Sequence, residues 1–394
     1  MKNFFLNSMG IICSLGSGKE RVRETLFSPI DPSGLTITDR YSPGRNLYCG
    51  VVATELPDIS DRHPSFRTRN NALCLKALSE IKPEVDAAIS KFGRTRVAVV
   101  LGTSTPGLTE GLIARRHYEK SGTWPVGFSM VEQELGSLAD FVAAELGTAG
   151  IAHVISTACS SGAKSLASGA RILNAGLADA VIVGGCDVLG EFTVAGFCAL
   201  EAISGARCNP LSVHRSGINL GEGAAIFLMT LEEGPVRLAG WGETSDAHHI
   251  SAPDPTGKGA TAAMRLALNR AGLSPNSIDY LNLHGTGTRQ NDEMESLAVS
   301  DVFGERLVVS STKPLTGHTL AGAGAIEAAF CWMTLTENSE GVVPPHWWDG
   351  NFDPNLRPLH IANPGYRLGR SPRYVLSNSF AFGGNNASLL LGAS

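Results

Sequence analysis

The sequence predicts an α/β fold assembled from two similar halves, with sheets covered by helices on both faces. Three observations carry this. Short apolar runs rich in β-branched residues recur along the chain, small-residue helical segments lie between them, and many of the runs end in a turn of Gly, Ser or Thr. Continuous apolar strands alternating with helices are the pattern of sheets buried on both sides.

The first strand falls in "MKNFFLNSMGIICSLG", where Asn7, Ser8 and Gly10 interrupt the apolar run. That interruption, and the lack of a small-residue cleavage site, argue for a strand rather than a secretion signal. Strands follow at "RVAVVLGTS" (96–104), "AHVISTACS" (152–160), "DAVIVGGCD" (179–187) and "GAAIFLMTL" (223–231). The later set is "IDYLNLHGTGT" (278–288), "RLVVSSTKPLTGH" (306–318) and "RYVLSNSFAFGG" (373–384). Helices are expected in "SSGAKSLASGARILNAG", "GATAAMRLALNRAG" and "LAGAGAIEAAFCWMTLTE". The segment "PVRLAGWGETSD" reads as a seam, giving halves 1–235 and 236–394. Proline-rich "GVVPPHWWDGNFDPNLRP" (341–358) reads as a surface loop.

Composition narrows the function. Charged residues are 18% of the 394, below the roughly 25% of an average protein. Net charge is −5, so nothing in bulk draws the chain to nucleic acid or an anionic membrane. No run approaches the ~18 apolar residues of a membrane span. Eight cysteines without a CxxC pair give no zinc or redox motif, and point to a reduced, cytoplasmic setting.

Cys159 lies where an apolar strand gives way to a helix. Unpaired amides and the dipole at a helix start favour a thiolate, which would lower the thiol pKa. Ala158, Ser160, Ser161 and Gly162 leave room for a thioester and for amides that form an oxyanion hole. Local chemistry alone leaves two readings open, a small core cysteine and a nucleophile. His284, in "NLHGTGTRQND", and His318, in "SSTKPLTGHTLAGAGAIEAAF", occupy similar strand-end turns. Lys313 and Glu327 fit either a surface ion pair or a pair that holds His318 neutral and oriented. Arg67 and Arg69, in "RHPSFRTRNN", fit a solvated helix start or an acidic partner. No phosphate loop or metal-ligand spacing appears.

Taken together, "TACSSGAKS", "HGTGT", "STKPLTGHTLAGAGAIE" and "NSFAFGGNNAS" resemble, in order, the motifs of the β-ketoacyl synthases. "GINLGEGAA", "SDAHHISAPDP" and the opening "MGIICSLG" match in place too. The resemblance implies a thiolase-like fold, two halves in an α-β-α-β-α layering, working as a dimer. It implies a type II, chain-elongating synthase that joins malonyl units to an acyl chain in fatty acid or polyketide assembly. Cys159 would carry the acyl group, and the amides of Cys159 and Phe382 would form the oxyanion hole. His284 and His318 would hold the malonyl thioester, and Lys313 with Glu327 would place His318. Thr286 and Thr288 match residues that hold the pantetheine arm. Phe382, with Gly383 beside it, matches the aromatic gate between acyl pocket and malonyl side.

Two histidines rather than His and Asn imply elongation rather than initiation. No cofactor is implied beyond the phosphopantetheine of an acyl carrier protein, the expected partner, with Arg67, Arg69 and Arg207 as contacts. The departures lie in "NPLSVHRSGINLGEGAA", where Asn209 replaces an arginine that often meets the carrier. Leu211, Ser212, Ser216 and Ile218 replace the usual aromatic, Asp, Asp and Phe. Asn385 replaces a threonine. These fit an alternative, a specialised polyketide or aryl-polyene ketosynthase paired with a chain-length factor. A non-catalytic partner subunit is the alternative of another class.

Overall fold

The computed structural model describes residues 2–394. Ten strands form its frame: β1 (Phe5–Cys13), β2 (Val97–Gly102), β3 (Ala152–Ile155), β4 (Ala180–Asp187) and β5 (Gly223–Thr230) come first. They are followed by β6 (Val236–Ser245), β7 (Tyr280–Asn282), β8 (Val308–Ser310), β9 (Tyr374–Ala381) and β10 (Asn385–Ala393). The first sheet runs β1-β5-β4-β2-β3 and the second β6-β10-β9-β7-β8. Adding five to each label of the first order gives the second. Directions repeat as well: the first two pairings of each sheet are antiparallel and the last two parallel. The sheets join where Phe5 meets Arg237 and Leu6 meets Val236 on β1 and β6. The segment expected as a seam is therefore itself a strand.

Strand alternation divides the core into layers, because successive side chains point to opposite faces. On β2, Val97, Val99 and Leu101 join one apolar cluster while Ala98 and Val100 join another. Helices α1 (Arg69–Ser79) and α2 (Ser137–Leu146) cover the outer face of the first sheet. Between the sheets lie α3 (Ser161–Asn174) and, later in the chain, its counterpart from the second half. Helices α4 (Lys258–Ala271) and α5 (Arg289–Phe303) cover the second sheet. The counterpart of α3 is α6 (Ala323–Leu335), whose thirteen residues are all buried, as an apolar sequence on every side requires. The result is five layers, helix-sheet-helix-sheet-helix.

The two central helices touch through backbone. A Cβ on Gly162 would lie 2.8 Å from Ala325 N and 2.9 Å from Ala321 O. No flexible side chain is there to give way. Gly162→Ala is expected to cost about 1–3 kcal/mol, the usual penalty of overpacking, seen as a lower denaturant midpoint. An unchanged midpoint contradicts this packing.

One expectation fails. The proline-rich loop is not all surface: Val343 is buried and His346 is fully enclosed, at 0% exposure. From Asp349 onward the segment alternates, with Asn351, Pro354 and Asn355 exposed and Asp353 and Leu356 buried again. Proline and glycine report backbone shape, and shape does not say what the loop packs against. Among the described residues, no helix is long and apolar enough to cross a membrane.

Candidate active site

The nucleophile candidate sits on a strained turn. Between β3 and α3 the chain passes through Ala158 at φ 50°, a left-handed conformation that is uncommon for a residue with a Cβ. Hydroxyls hold the turn: Ser161 Oγ donates to Ala158 O at 2.6 Å, and Thr157 N donates to Ser161 Oγ at 2.8 Å. Cys159 comes next, 6% exposed, at the mouth of the central helix layer.

Both histidines arrive from the second half of the chain. His284 follows β7, and its turn is held by the buried Glu295 on α5. The amides of His284 and Gly285 donate to that carboxyl at 2.8 and 2.7 Å. His318 lies after β8, its amide donating to Asn219 O at 2.6 Å. Its Nε2 is 2.8 Å from Cys159 Sγ, and the two imidazole rings meet edge to face at 5.3 Å. Lys313 Nζ bonds Glu327 Oε1 at 2.5 Å, with both residues buried, so this pair is no surface ion pair.

Electrostatics reverse one expectation. The Cys159 thiol is pushed up to about 12, because burial penalises the thiolate more than its neighbours favour it. Lys313 and the backbone amides of Phe382 and Cys159 pull the other way without winning. A helix start lowers a thiol pKa only where water or a cation still solvates the sulfur. Those two amides lie near enough to Sγ to favour its charged form, beside where the carbonyl of a thioester would sit. Burial first, and Lys313 second, hold the pKa of His284 and His318 well below the ordinary histidine value. Both rings are neutral at neutral pH. Glu295 and Glu327 are raised to about 7, burial again being the largest cause.

Cys159, His284 and His318 offer ligand atoms within 4.8 Å of one another, a spacing suited to a metal. The ammonium of Lys313, which depresses both imidazoles, opposes a second cation there.

The three residues open into a cavity of about 620 Å³, within the range of small-molecule sites. Thr286 and Thr288 line it, their hydroxyls 2.9 Å apart. Phe382 lines it too, 38% exposed and stacked on Phe197 at 5.9 Å between ring centres. Gly383, at φ 78°, supplies the left-handed step that turns the chain after Phe382.

The three arginines are not brought together as one patch. Arg69 turns inward, with Nε and Nη2 bonded to Glu222 at 3.0 and 2.5 Å. Glu222 is fully buried and needs that cation, so Arg69 is committed to the interior. Arg207 pairs with Asp31 and donates to Pro314 O at 2.7 Å. Arg67 is exposed, and its guanidinium Nε donates to Arg62 O at 2.8 Å.

Buried acids are hard to read in the sequence, Glu295 and Asp187 among them. Glu295 and Asp187 look like ordinary surface carboxylates in their local strings. Asp187 accepts from Thr103, Ser104, Thr105 and the amide of Ala321, joining the end of β4 to the entry of α6. The available signal was position: Asp187 ends an apolar strand, and Glu295 follows a Gly/Thr turn within three helical turns.

Comparison with known proteins agrees with this arrangement. The family described as "Beta-ketoacyl synthase, N-terminal domain" matches residues 55–234, and "Beta-ketoacyl synthase, C-terminal domain" matches 236–347. A relative from Staphylococcus aureus (strain COL), 3-oxoacyl-[acyl-carrier-protein] synthase 2, is 33% identical over 99% of this chain and 98% of its own length. Among solved structures, the ketosynthase ApeO in complex with its chain length factor ApeC, from Xenorhabdus doucetiae, is 41% identical with TM-score 0.93. That match covers 100% of this chain and 98% of the other. A β-ketoacyl synthase from Burkholderia phymatum STM815 aligns at TM-score 0.88 and 26% identity, covering 100% of both chains. With both halves matched by the family and relatives aligned along nearly the whole length, the chain belongs to the β-ketoacyl synthases.

Proposed function

We propose that this chain is a chain-elongating ketosynthase acting on acyl and malonyl groups carried by the phosphopantetheine of an acyl carrier protein. The observation that carries the reading is one thiol, at 2.8 Å from a neutral imidazole, with a second neutral imidazole beside it. In this reading the chain divides at residues 235 and 236, Cys159 coming from the first half and both histidines from the second. It needs no cofactor of its own, and its eight free cysteines suit the cytoplasm.

In loading, Cys159 Sγ attacks the acyl thioester. Its bond to the acyl carbon forms, the carrier's C–S bond breaks, and the proton of Cys159 leaves with the carrier thiol. The amides of Cys159 and Phe382 hold the oxyanion. In condensation, malonyl thioester loses CO₂ and leaves an enolate, whose oxygen takes hydrogen bonds from His284 and His318. Neutral N–H donors suit this step, because a preformed imidazolium would hand its proton to the carbanion. The enolate carbon then attacks the acyl-enzyme, Sγ departs as a thiolate that takes up a proton from water, and a 3-oxoacyl group two carbons longer remains on the carrier.

The reading is tested with the histidines. His284→Ala and His318→Ala should each lower malonyl decarboxylation and elongation by about 10²–10³-fold, the usual effect of losing one such donor. Loading of Cys159, followed by intact mass, should change far less in His284→Ala. Unchanged elongation in either variant contradicts the assignment.

A specific observation favours a paired subunit. Strand β3 is an open edge, and Ile113, Tyr118, Trp124, Val126, Met130 and Val131 are exposed on helix Leu108–Ser121 and the chain after it. An open edge and an apolar strip this size suit a second chain. The 41% identical ketosynthase is seen with a chain length factor, so a cysteine-lacking homologue is the partner this reading favours over a second copy. In this reading the protein serves a specialised polyketide or polyene pathway.

A further inference from the structure

We infer that His346, a residue outside the reacting trio, is a positioning residue that sets the two histidine turns relative to each other. The inference rests on the ketosynthase reading for what the turns do, and on geometry alone for how they are held.

His346 is more deeply enclosed than His284 or His318, at 0% against 2% and 3% exposure. Both of its ring nitrogens are bonded. The amide of Ser311 donates to Nδ1 at 2.9 Å, which puts the ring proton on Nε2. Nε2 then donates to Pro210 O at 3.0 Å. Burial lowers the pKa of this ring to about 4, so it keeps this single tautomer at neutral pH. Its own amide donates to Ala362 O at 2.8 Å.

Both ring bonds lead to the site. Ser311 Oγ donates to Gly285 O at 2.6 Å, the residue next to His284. The amide of Lys313 in turn donates to Ser311 Oγ at 3.3 Å, and Lys313 starts the short turn that ends at His318. On the other side, Pro210 belongs to the segment whose sequence departs from the family. The amide of Leu211 donates to Asp292 Oδ2 at 2.8 Å, and the amide of Gly217 donates to Gly287 O at 3.0 Å. The "HGTGT" turn is therefore gripped at Gly285 through Ser311 and at Gly287 through residues 210–217. The His346 ring is bonded to a segment of each grip, Ser311 on one side and Pro210 on the other. A side chain serving only to fill space would need neither bond.

The test compares His346→Leu, which fills the space without donor or acceptor, with His346→Gln, which keeps one of each. Hydrogen exchange at residues 283–288 and 311–318 reads positioning without any chemistry. Exchange there should quicken in His346→Leu and return toward wild type in His346→Gln. In the assay, His346→Leu should elongate about 10–100-fold more slowly, as when an orienting partner of a reacting group is removed. Acyl loading of Cys159, which needs Sγ and its amides, should stay within a few-fold. Unaltered exchange in His346→Leu overturns the inference, as does equal loss of loading and elongation. A wild-type protein that neither loads nor elongates overturns the ketosynthase reading instead, and exchange still decides the role of His346.

Discussion

Cys159→Ala is expected to abolish acyl capture and to lower elongation by on the order of 10⁴- to 10⁶-fold, the range seen when a reacting side chain is deleted from a cooperating set. The size follows from the absence of a substitute. The other seven cysteines lie outside the cavity lining, so none can accept the acyl group in its place. With its pKa near 12, the Cys159 thiol holds its proton at neutral pH until attack begins. Cys159→Gln should lose loading in the same way while still decarboxylating malonyl-carrier, because both histidines remain. Intact mass and CO₂ release separate the two half-reactions. Acyl transfer that survives in Cys159→Ala contradicts the assignment.

Lys313→Met is expected to be the most destabilising single change at the site, by about 3–5 kcal/mol near pH 8, since it strands Glu327 as a buried, unpaired charge. The pH dependence has a definite sign. Burial raises the folded-state pKa of Glu327 from 4.5 to about 7. A carboxyl raised in this way contributes stability that is fully present below about 4.5 and is lost as pH rises through about 7. Without Lys313 its pKa rises further, so the deficit relative to wild type should be larger at pH 8 than at pH 5.5. Lys313→Met/Glu327→Leu should recover much of the loss, because replacing both partners leaves no stranded charge. Urea melts of wild type, Lys313→Met and the double variant at the two pH values check this. A deficit that shrinks as pH rises contradicts the account.

How much of this was legible in the sequence varies residue by residue. Strand ends such as "VVLGTS" and "VISTACS" declared themselves because a buried parallel strand must be apolar throughout and must stop at a turn. Helix α6 is legible from its small apolar residues, but its burial on every side is not: in the sequence Lys313 and Glu327 fit a surface ion pair as well, and in the fold both are buried. Partners across the fold were not legible. Arg69 in "FRTRNN" looks the same whether it faces solvent or the buried Glu222, 153 positions away. His346 hides among prolines that signal a loop, although its first residues are packed between the 210 and 311 segments. The thiol pKa was misjudged for the same reason. A helix start is a local feature, while the burial that outweighs it comes from segments far apart in the chain.

The most direct test of the central claim is a single turnover with isotopic accounting. The wild-type protein, purified with whatever homologue its host supplies, is given acyl-carrier protein and malonyl-carrier protein labelled with ¹³C in the free carboxylate. The account predicts an acyl adduct on the Cys159 peptide, then one labelled CO₂ for each 3-oxoacyl-carrier formed, the product unlabelled and two carbons longer. Label retained in the product, or elongation in which Cys159 is never acylated, would contradict it.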